Sequence, residues 1–334
     1  MKIDIHTHIM PANTPHWAKK FGYGDFIHLE HRNCKACMMK GDKFFREVEN
    51  NCFEPLDRKR DMEKTGVTMQ VLSTIPVLFN YWARAEDGLE TSRFHNDHIA
   101  ETVIKNPGEF IGLGTVPMQD EELAMKEMTR CIEELNFPGI EIGTNINGIN
   151  LSDKRFLPFF EMAEKLKCAI FVHPWQMMGQ QEMPEYWLPW LVGMPAETSR
   201  AICSLIFSGV FEKFPELKFA FAHGGGSFPA TIGRIDHGFA VRPDLCAIDN
   251  NKAPSSYLKN FYIDSLVHDE ATLKFIIDMM GEDFICLGSD YPFPLGEHHP
   301  GKLISESTIA KEIKDKLLYK NAFNWLGKSL PENE

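Results

Sequence analysis

The sequence lacks any apolar run that approaches the roughly 20 residues needed to cross a membrane. Its first residues, Met1–Asp4, show none of the pattern of a secretory signal peptide. Basic residues are few relative to acidic ones, 35 against 47, which gives a net charge of −12 with neutral histidine. Such a surface is a poor partner for nucleic acid or an anionic membrane, although a few local arginines can still bind a small anion. These absences predict a cytoplasmic protein that binds neither nucleic acid nor membrane.

Cysteine is present without the dense pattern of a disulfide framework, because only eight are scattered over 334 residues. Cys34 and Cys37 have the C-x-x-C spacing that can hold a metal or form a redox pair, with His31 nearby. No second pair with this spacing exists in the sequence, so a coincidence is the favoured interpretation. The cysteine usage predicts a reduced compartment.

The sequence contains instead an alternation of short apolar runs with helical segments such as Glu121–Leu135 and Phe156–Leu166. Eight strands alternating with helices predict an α/β fold, and their number favours a closed (β/α)8 TIM barrel formed by residues 1–334. An open doubly wound parallel sheet is the structural alternative. The predicted strands are Lys2–Ile9, Val67–Ser73, Phe110–Thr115, Gly139–Gly143, Ala169–His173, Lys218–His223, Phe261–Asp264 and Ile285–Gly288.

Two segments are too long and irregular to be ordinary connections between a strand and a helix. Residues 11–48 contain prolines, glycines and clustered aromatic residues, and they predict a small insertion of short strands. Residues 176–197 form a second excursion rich in proline and tryptophan. Both segments follow predicted strands, so both are expected over the barrel mouth, where the active sites of such barrels lie.

Polar residues end several of the apolar strands at the same predicted pole of the barrel. His6 and His8 are two residues apart on the first strand, so both imidazoles point to the same side. His173 and His223 end the fifth and sixth predicted strands, and Asp290 follows the eighth. Imidazole and carboxylate suit Zn²⁺ or a similar divalent ion. The predicted ligands are His6, His8, His173 and Asp290, with water at an open position.

The end of the fourth strand indicates one metal ion rather than two. No lysine stands there, where a ligand bridging two metals would be expected, and Glu141 and Thr144 occupy the position instead. His223 is interpreted as the acid–base group, because neutral imidazole can accept and return a proton near pH 7. It precedes Gly224–Gly226, whose missing side chains would allow substrate and backbone to approach closely. A role as a fifth metal ligand is the alternative for His223.

Several longer motifs carry a resemblance to a known family. They are Met1–His8, Phe21–Gly24, Tyr186–Thr198, Phe221–Gly226 and Asp290–Glu297. With them the chain resembles the amidohydrolase superfamily, and more narrowly a family of decarboxylases within it, from residue 1 to about residue 325. The Tyr186–Thr198 and Asp290–Glu297 motifs are the most specific, whereas a His-x-His pair with a distant aspartate is typical of the whole superfamily.

The resemblance implies a barrel enzyme that uses zinc and no organic cofactor, with Co²⁺ or another divalent metal as alternatives. The implied reaction is the non-oxidative decarboxylation of an acyclic aminomuconate semialdehyde with two carboxylates, in tryptophan catabolism by the kynurenine route. This reaction would divert the compound from closure to quinolinate. The family's metal positions fall on the four ligands predicted above. Its acid–base position falls on His223, with Asp290 as a second catalytic residue.

The resemblance also implies residues that bind this anionic substrate. Arg46 corresponds to a carboxylate-binding arginine, and Arg234 to a second one that the family supplies from the neighbouring subunit of a homodimer. Ser227 is expected to cap the helix that carries Arg234, which places that arginine several residues away from its own barrel mouth. Arg242 is a weaker candidate for the same role. Trp190 is expected to pack on the planar chain of the substrate, with ordinary core packing as the alternative.

Other functions remain open at this point. One alternative is a decarboxylase of an aromatic acid of the resorcylate type. Another is a metal-dependent hydrolase or lactonase of a cyclic dicarboxylate, in which a carbonyl carbon would be attacked. A metal-binding protein without catalytic activity is the alternative of a different class, and the complete set of site residues disfavours it.

Overall fold

The computed structural model describes residues 1–32 and 35–329. Its centre is a sheet of eight strands whose spatial order follows the chain, and every pair of neighbouring strands is parallel. This order confirms the (β/α)8 barrel, and the open doubly wound sheet is wrong, because in that fold the strand order reverses partway across the sheet. The strands are β1 (Ile3–Ile9), β2 (Met69–Thr74), β3 (Phe110–Thr115), β4 (Gly139–Gly143), β5 (Ala169–His173), β6 (Lys218–Phe221), β7 (Tyr262–Asp264) and β8 (Ile285–Cys286).

The barrel closes along a seam between β1 and the chain around and after β8. The Ile5 N–H donates to the Leu287 carbonyl at 2.9 Å, and the His8 N–H donates to the Tyr291 carbonyl at 2.8 Å. Thr7 also pairs with Tyr291 in a parallel bridge. Because β8 is only two residues long, part of this seam lies beyond the regular strand.

The bounds of β3, β4 and β5 agree with the predicted ones, whereas β6 and β8 end earlier than expected. His223 has a φ of 58°, and so does Asp290. A residue in this left-handed region cannot continue a strand, and the chain turns there. The polar residues at these two positions therefore stand just beyond their strands.

The described residues form thirteen α-helices, and the longer ones pack on the outside of the barrel. Shorter 3₁₀ or π-helical turns cover 50–52, 76–78, 154–156, 180–182, 189–193, 223–225, 254–257 and 316–320. The α-helices are α1 (Trp17–Phe21), α2 (Pro55–Thr65), α3 (Ala85–Lys105), α4 (Glu121–Glu133), α5 (Leu157–Lys165), α6 (Met194–Phe207), α7 (Val210–Lys213), α8 (Phe228–Val241), α9 (Pro243–Cys246), α10 (Glu270–Met280), α11 (Lys302–Glu306), α12 (Lys311–Asp315) and α13 (Asn321–Leu326).

Apolar side chains form two main cores on opposite faces of the sheet. The outer core joins the strands to the surrounding helices and includes Ile170 and Phe219. The inner core contains small and large side chains such as Ala222 and Phe171, and Trp325 of α13 packs against it. The polar pole of the barrel therefore rests on a packed apolar interior rather than on an open channel.

The segment after β1 contains a three-stranded antiparallel sheet, made of Ile27–Arg32, Lys35–Lys40 and Lys43–Val48. Its buried face includes Met38 and packs on residues after β2 such as Ile75. Cys37 lies in this sheet as a buried free thiol, whereas Cys34 lies outside the described residues. A separate pair of short strands, Asn145–Ile146 and Ile149–Asn150, follows β4.

None of the helices that the structure describes has the length and apolar character that a membrane crossing requires.

Candidate metal centre and active site

The four predicted ligands converge at the carboxyl-terminal pole of the barrel. His6, His8, His173 and Asp290 each offer one ligand atom, and these atoms all lie within 4.8 Å of one another. Asp290 Oδ1 lies 3.5 Å from His6 Nε2 and 3.2 Å from His8 Nε2. All four residues are buried. Residues that are far apart in the chain thus form one compact donor group.

A bulge in β1 aims the two histidines of this strand into the barrel. The pairing of β1 with β2 shifts register between Asp4 and Thr7. Before the bulge, Ile3 packs in the inner core, whereas after it Ile9 packs in the outer core. Because a bulge reverses the alternation of side chains, the even-numbered His6 and His8 face inward beyond it. This places His6 beside Phe171, whose ring centroid lies 5.0 Å from that of His6.

Each histidine of the group is held through the ring nitrogen that faces away from the centre. Carbonyl oxygens can only accept hydrogen bonds, so Nδ1 of His8 and of His173 carries the proton and Nε2 keeps its lone pair. Such outward contacts orient metal-binding imidazoles and raise their basicity. The contacts are His6 Nδ1 with Asp264 Oδ2 at 2.7 Å, His8 Nδ1 with the Thr74 carbonyl at 3.0 Å, and His173 Nδ1 with the Pro174 carbonyl at 3.0 Å.

The donor group fits a divalent metal ion. Nε2 of His6, His8 and His173 is buried and has no hydrogen-bond partner among the described residues. Burial lowers the pKa of His8 and of His173, which favours the neutral imidazole that a ligand must present. Although burial acts to raise it, the pKa of Asp290 lies well below its usual range because of His223 and His8. Three neutral nitrogens and one carboxylate match the donor chemistry of zinc sites.

Asp264, which was not predicted as a site residue, connects two parts of the centre. Its carboxylate accepts from His6 Nδ1 and from the backbone N–H groups of His223 at 2.8 Å, Gly224 at 2.7 Å and Leu266 at 3.0 Å. Burial acts to raise its pKa, but these hydrogen bonds, with His6 first, hold the pKa below its usual value. A signal was available, since Asp264 ends a predicted strand as His173 does.

His223 stands beside the donor group rather than in it. Its Nε2 lies 3.8 Å from Asp290 Oδ2, and its ring centroid lies 5.0 Å from that of His173. The group of ligand atoms described above does not include it. Burial acts to lower the pKa of His223, but Asp290 outweighs that effect and raises it. An imidazole next to a carboxylate can hold and release a proton there.

The glycines after His223 serve the protein's own backbone. Gly224, Gly225 and Gly226 have φ angles of 62°, 74° and 63°, a region that strongly favours glycine. A Cβ atom at Gly226 would lie 2.3 Å from the Pro195 carbonyl. The expectation that these glycines make room for substrate is therefore incomplete, because the turn itself requires them.

The predicted cap of α8 is wrong. Ser227 directly precedes the helix, but its side chain makes no capping hydrogen bond. Its backbone is already close to helical, with a φ of −87° and a ψ of −1°, so the hydroxyl does not point back toward the first turn. The hydroxyl instead contacts Ser199 Oγ at 2.8 Å.

The end of β4 places a further carboxyl group near the centre. Glu141 is fully buried, and its Oε1 lies 3.8 Å from His8 Nδ1. Burial raises the pKa of Glu141 well above its usual range. Glu141 therefore lies on the Nδ1 side of His8 and is not part of the group of four ligand atoms.

A cavity opens above the centre, and the two long excursions contribute to its walls. His8, His173 and Asp290 are part of its lining, and Arg46 and Trp190 lie on its sides. Arg46 lies on the last strand of the insertion, half-buried, with its guanidinium carbon 4.8 Å from the centroid of the Phe293 ring. Burial lowers the pKa of Arg46, and Asp290 opposes that effect. One cationic side chain thus faces the same cavity as the donor group.

Trp190 lies in the excursion after β5, in the π-helical turn Pro189–Gly193. Its ring stacks on Trp187 with centroids 5.8 Å apart, and Trp190 is half-buried. Its position on the cavity wall is compatible with packing against a planar ligand.

The other two predicted arginines lie outside the cavity. Arg234 is exposed on α8, and the lining of the cavity does not include it. Arg242 is exposed just after that helix and forms an ion pair with Asp244 at 2.7 Å. The structure therefore brings together the four predicted metal ligands, His223, Arg46 and Trp190, but not Arg234 or Arg242.

Comparisons with known proteins agree with this architecture. The sequence pattern of the amidohydrolase family matches residues 3–328. The chain is 55% identical over 329 residues to the 2-amino-3-carboxymuconate-6-semialdehyde decarboxylase of Dictyostelium discoideum, covering 98% of this chain and 92% of the relative. It is 37% identical over 377 residues to the protein of the same name from Caenorhabditis elegans, covering 97% and 94%.

Among solved structures, a dihydroxybenzoic acid decarboxylase from Polaromonas sp. superposes with a TM-score of 0.79 at 24% identity. The match covers 98% of this chain and 96% of that one. That structure contains bound manganese and the inhibitor 2-nitroresorcinol. At this identity the likeness supports the fold.

Proposed function

This chain belongs to the amidohydrolase family, and on that premise we propose that it converts 2-amino-3-carboxymuconate 6-semialdehyde into 2-aminomuconate 6-semialdehyde and CO₂ without oxidation. The observation that carries the proposal is the group of three imidazoles and one carboxylate beneath a cavity that also contains Arg46. Identity of 55% along nearly the whole chain to a decarboxylase of this name supports it. The enzyme is a carboxy-lyase.

We propose that His6, His8, His173 and Asp290 hold one divalent ion, with zinc as the expected metal. Three imidazole nitrogens are the typical donors of zinc, and manganese in a structural relative makes exchange with other divalent ions plausible. When bound, such an ion supplies Lewis-acid activation at the floor of the cavity.

His223 is the proposed acid–base group. It stands beside the donor group with its Nδ1 unpartnered among the described residues, so the ring has capacity to exchange a proton. The substrate loses a carboxylate and gains hydrogen on the same carbon. We expect the imidazole to deliver that proton, while the electron pair of the broken C–C bond stays on the conjugated chain and CO₂ leaves. Asp290 contributes by holding His223 protonated through their contact.

Arg46 is the proposed binder of a substrate carboxylate. Its guanidinium can form two parallel hydrogen bonds to a carboxylate, which fix orientation as well as position. Apolar groups around it, including Phe293 and Trp190, reduce the access of water and strengthen that charge interaction. Trp190 is proposed to contact the planar chain of the substrate.

Arg234 is proposed to bind the second carboxylate in the active site of a partner subunit. The exposed position on α8, away from the chain's own cavity, supports this arrangement because it leaves the side chain available to another copy. The proposal therefore includes a homodimer. Arg242 is a weaker candidate, since Asp244 already neutralises its charge.

The proposed role lies in tryptophan catabolism by the kynurenine route, where decarboxylation would divert the semialdehyde from forming quinolinate. We propose a cytoplasmic location. The seven cysteines that the structure describes are all free thiols, which fits a reducing compartment.

The nearest competing function is decarboxylation of an aromatic acid of the resorcylate type, as in the structural relative. The lower identity of that relative, 24% against 55% and 37%, favours the acyclic substrate. Hydrolysis of a cyclic dicarboxylate would release no CO₂, so measuring CO₂ distinguishes it from the two decarboxylation reactions.

The deciding experiment supplies freshly made semialdehyde to zinc-loaded protein and follows its absorbance together with the CO₂ released. We expect stoichiometric CO₂, and none from protein stripped with a chelator. Spontaneous closure of the semialdehyde also consumes absorbance without CO₂, so both signals are compared with a protein-free sample. CO₂ release no faster than in that sample would contradict the proposal. Turnover of 2,6-dihydroxybenzoate with no turnover of the semialdehyde would support the aromatic-acid alternative and contradict the proposal.

A further inference from the structure

Arg58 is a buried cation that lies behind the metal centre and takes no part in the function proposed above. It sits on α2 with none of its surface exposed. Burying a charged side chain is costly unless hydrogen bonds or opposite charges compensate for it. No ion pair within 4.0 Å involves Arg58 among the residues that the structure describes, so its hydrogen bonds are the available compensation.

The guanidinium instead connects elements on both sides of the barrel seam. Its Nη1 donates to the His8 carbonyl at 2.6 Å and to the Asn51 carbonyl at 3.1 Å, and its Nε donates to Gln70 Oε1 at 3.1 Å. Its central carbon lies 4.8 Å from the centroid of the Tyr291 ring. One side chain therefore touches β1, β2, the turn before α2 and the chain after β8.

Two of these contacts are to a metal ligand or its immediate neighbour. His8 is a ligand itself, and Tyr291 directly follows Asp290. The Tyr291 hydroxyl donates to Asp61 Oδ2 at 2.9 Å, and Asp61 lies three residues after Arg58 on the same face of α2. Arg58 and Asp61 thus fasten α2 to the chain that carries each of these two ligands.

Near β8 and Asp290, the barrel has little regular strand pairing to hold the chain in place. The β8 strand has two residues, and the backbone of Asp290 has a φ of 58°, which few residues other than glycine adopt readily. Neighbouring contacts must hold such a conformation. The position of Asp290 Oδ1 at 3.2 Å from His8 Nε2 depends on the two sides of the seam staying in register.

We propose that Arg58 is a positioning residue that sets the separation of His8 and Asp290, and hence the affinity of the centre for its metal ion, by joining β1 to Tyr291. The inference rests on the proposed metal site. It predicts that changes at Arg58 weaken metal binding by more than the loss of fold stability explains.

The test measures zinc affinity and thermal stability separately. Apo protein is titrated with Zn²⁺ against a chromophoric chelator for the wild type and Arg58→Gln, and the Tm of each apo protein is recorded. We expect the Kd for zinc to rise about 10- to 100-fold in Arg58→Gln, the range typical of residues that orient metal ligands. Arg58→Lys should fall between, since a single ammonium cannot match the planar fork.

Met62→Ala is the matched control, because Met62 is a buried residue of the same helix in the outer core. It should lower Tm by removing apolar packing while the Kd for zinc stays within about threefold. If Arg58→Gln lowers Tm as Met62→Ala does and binds zinc as tightly as the wild type, Arg58 is merely structural and the inference is overturned.

A second variant decides the question if Arg58→Gln does not fold. Tyr291→Phe removes only the hydroxyl that contacts Asp61 and should weaken zinc binding by a few-fold with little change in Tm. Unchanged zinc binding in that variant would contradict the inference. Failure of the wild type to bind one equivalent of zinc would instead remove the proposed metal site itself.

Discussion

The histidines at the floor of the cavity are each held by a hydrogen bond on the side away from the cavity. The arginines proposed to bind substrate at its mouth depend instead on neighbouring segments of the chain. His6, His8 and His173 each have an outward hydrogen bond of 3.0 Å or less. Arg46 has a ring contact on an inserted sheet, and Arg234 is exposed on a helix. The difference indicates that the proposed chemistry depends on the barrel strands, while the proposed recognition of the substrate depends on an inserted sheet and on the exposed surface of an outer helix. Changes at the two regions should therefore have separable effects.

The largest expected effect is at the floor. His223→Ala should lower kcat by about 10² to 10⁴, because the general acid–base group is lost. Metal content should not change, since His223 lies outside the group of four ligand atoms. Turnover measured as CO₂ release, with metal analysis of the same sample, checks both parts. Loss of the metal would support the alternative of a fifth ligand, and near-normal turnover would contradict the acid–base role.

Substitutions of Arg46 test whether the mouth of the cavity binds a substrate carboxylate. Arg46→Ala should lower kcat/KM roughly 100-fold, because a buried carboxylate of the substrate would lose its charged partner. Arg46→Lys should recover part of that loss through charge alone. Lys43→Ala, at an exposed position of the same strand, is the control and should behave as the wild type. Initial rates across substrate concentrations separate KM from kcat. A lower kcat accompanied by loss of the metal would contradict the prediction that Arg46 acts separately from the metal centre.

Arg234 tests whether the mouth is completed by a second chain. Arg234→Ala should lose activity by tens of fold, and Arg242→Ala should change it by less than about twofold because its charge is neutralised by Asp244. Mixing Arg234→Ala with inactive His223→Ala subunits in equal amounts should restore about a quarter of wild-type activity, because about half of the exchanged dimers are mixed and each mixed dimer has one complete site of its two. No recovery, with mixed dimers demonstrated by mass, would contradict sharing.

Substitution of Asp264 tests the hydrogen bonds that hold His6 and the backbone of His223 at the floor of the cavity. Asp264→Asn should weaken zinc binding about 10-fold, because the amide is a weaker acceptor for His6 Nδ1 than a carboxylate. The backbone of His223 loses the same anchor, so kcat should fall even at saturating zinc. The zinc titration and the turnover assay at saturating metal check these outcomes separately. An effect confined to KM for the substrate would place Asp264 with the mouth.

The residues at the floor of the cavity could be predicted from the sequence because their positions depend on only two regularities of barrel strands. Parallel barrel strands end at one pole, and residues two apart on a strand share a face. These rules were enough to group His6, His8, His173 and Asp290. They also contained the signal for Asp264, which ends β7 in the same way, but a single carboxylate at a strand end does not reveal that it will contact His6.

Other features could not be predicted because they depend on long-range packing. The bulge in β1 is visible only when the strand is paired with β2. The hydroxyl of Ser227 turns toward Ser199 rather than capping α8, which follows from the approach of α6. The environment of Arg58 requires four elements to be assembled. The position of Arg234 relative to another chain lies beyond the information in one sequence without the resemblance.

The seam of the barrel has a consequence for synthesis of the protein. The backbone N–H groups of Ile5 and His8 find their hydrogen-bond partners only when Leu287 and Tyr291 have been synthesised. Of the eight barrel strands, β1 is synthesised first. Until the last strand emerges, β1 keeps an unpaired edge that other chains can join. Nascent protein should therefore be most vulnerable to aggregation during this interval, and a chaperone that shields the first strand should raise the yield of active enzyme.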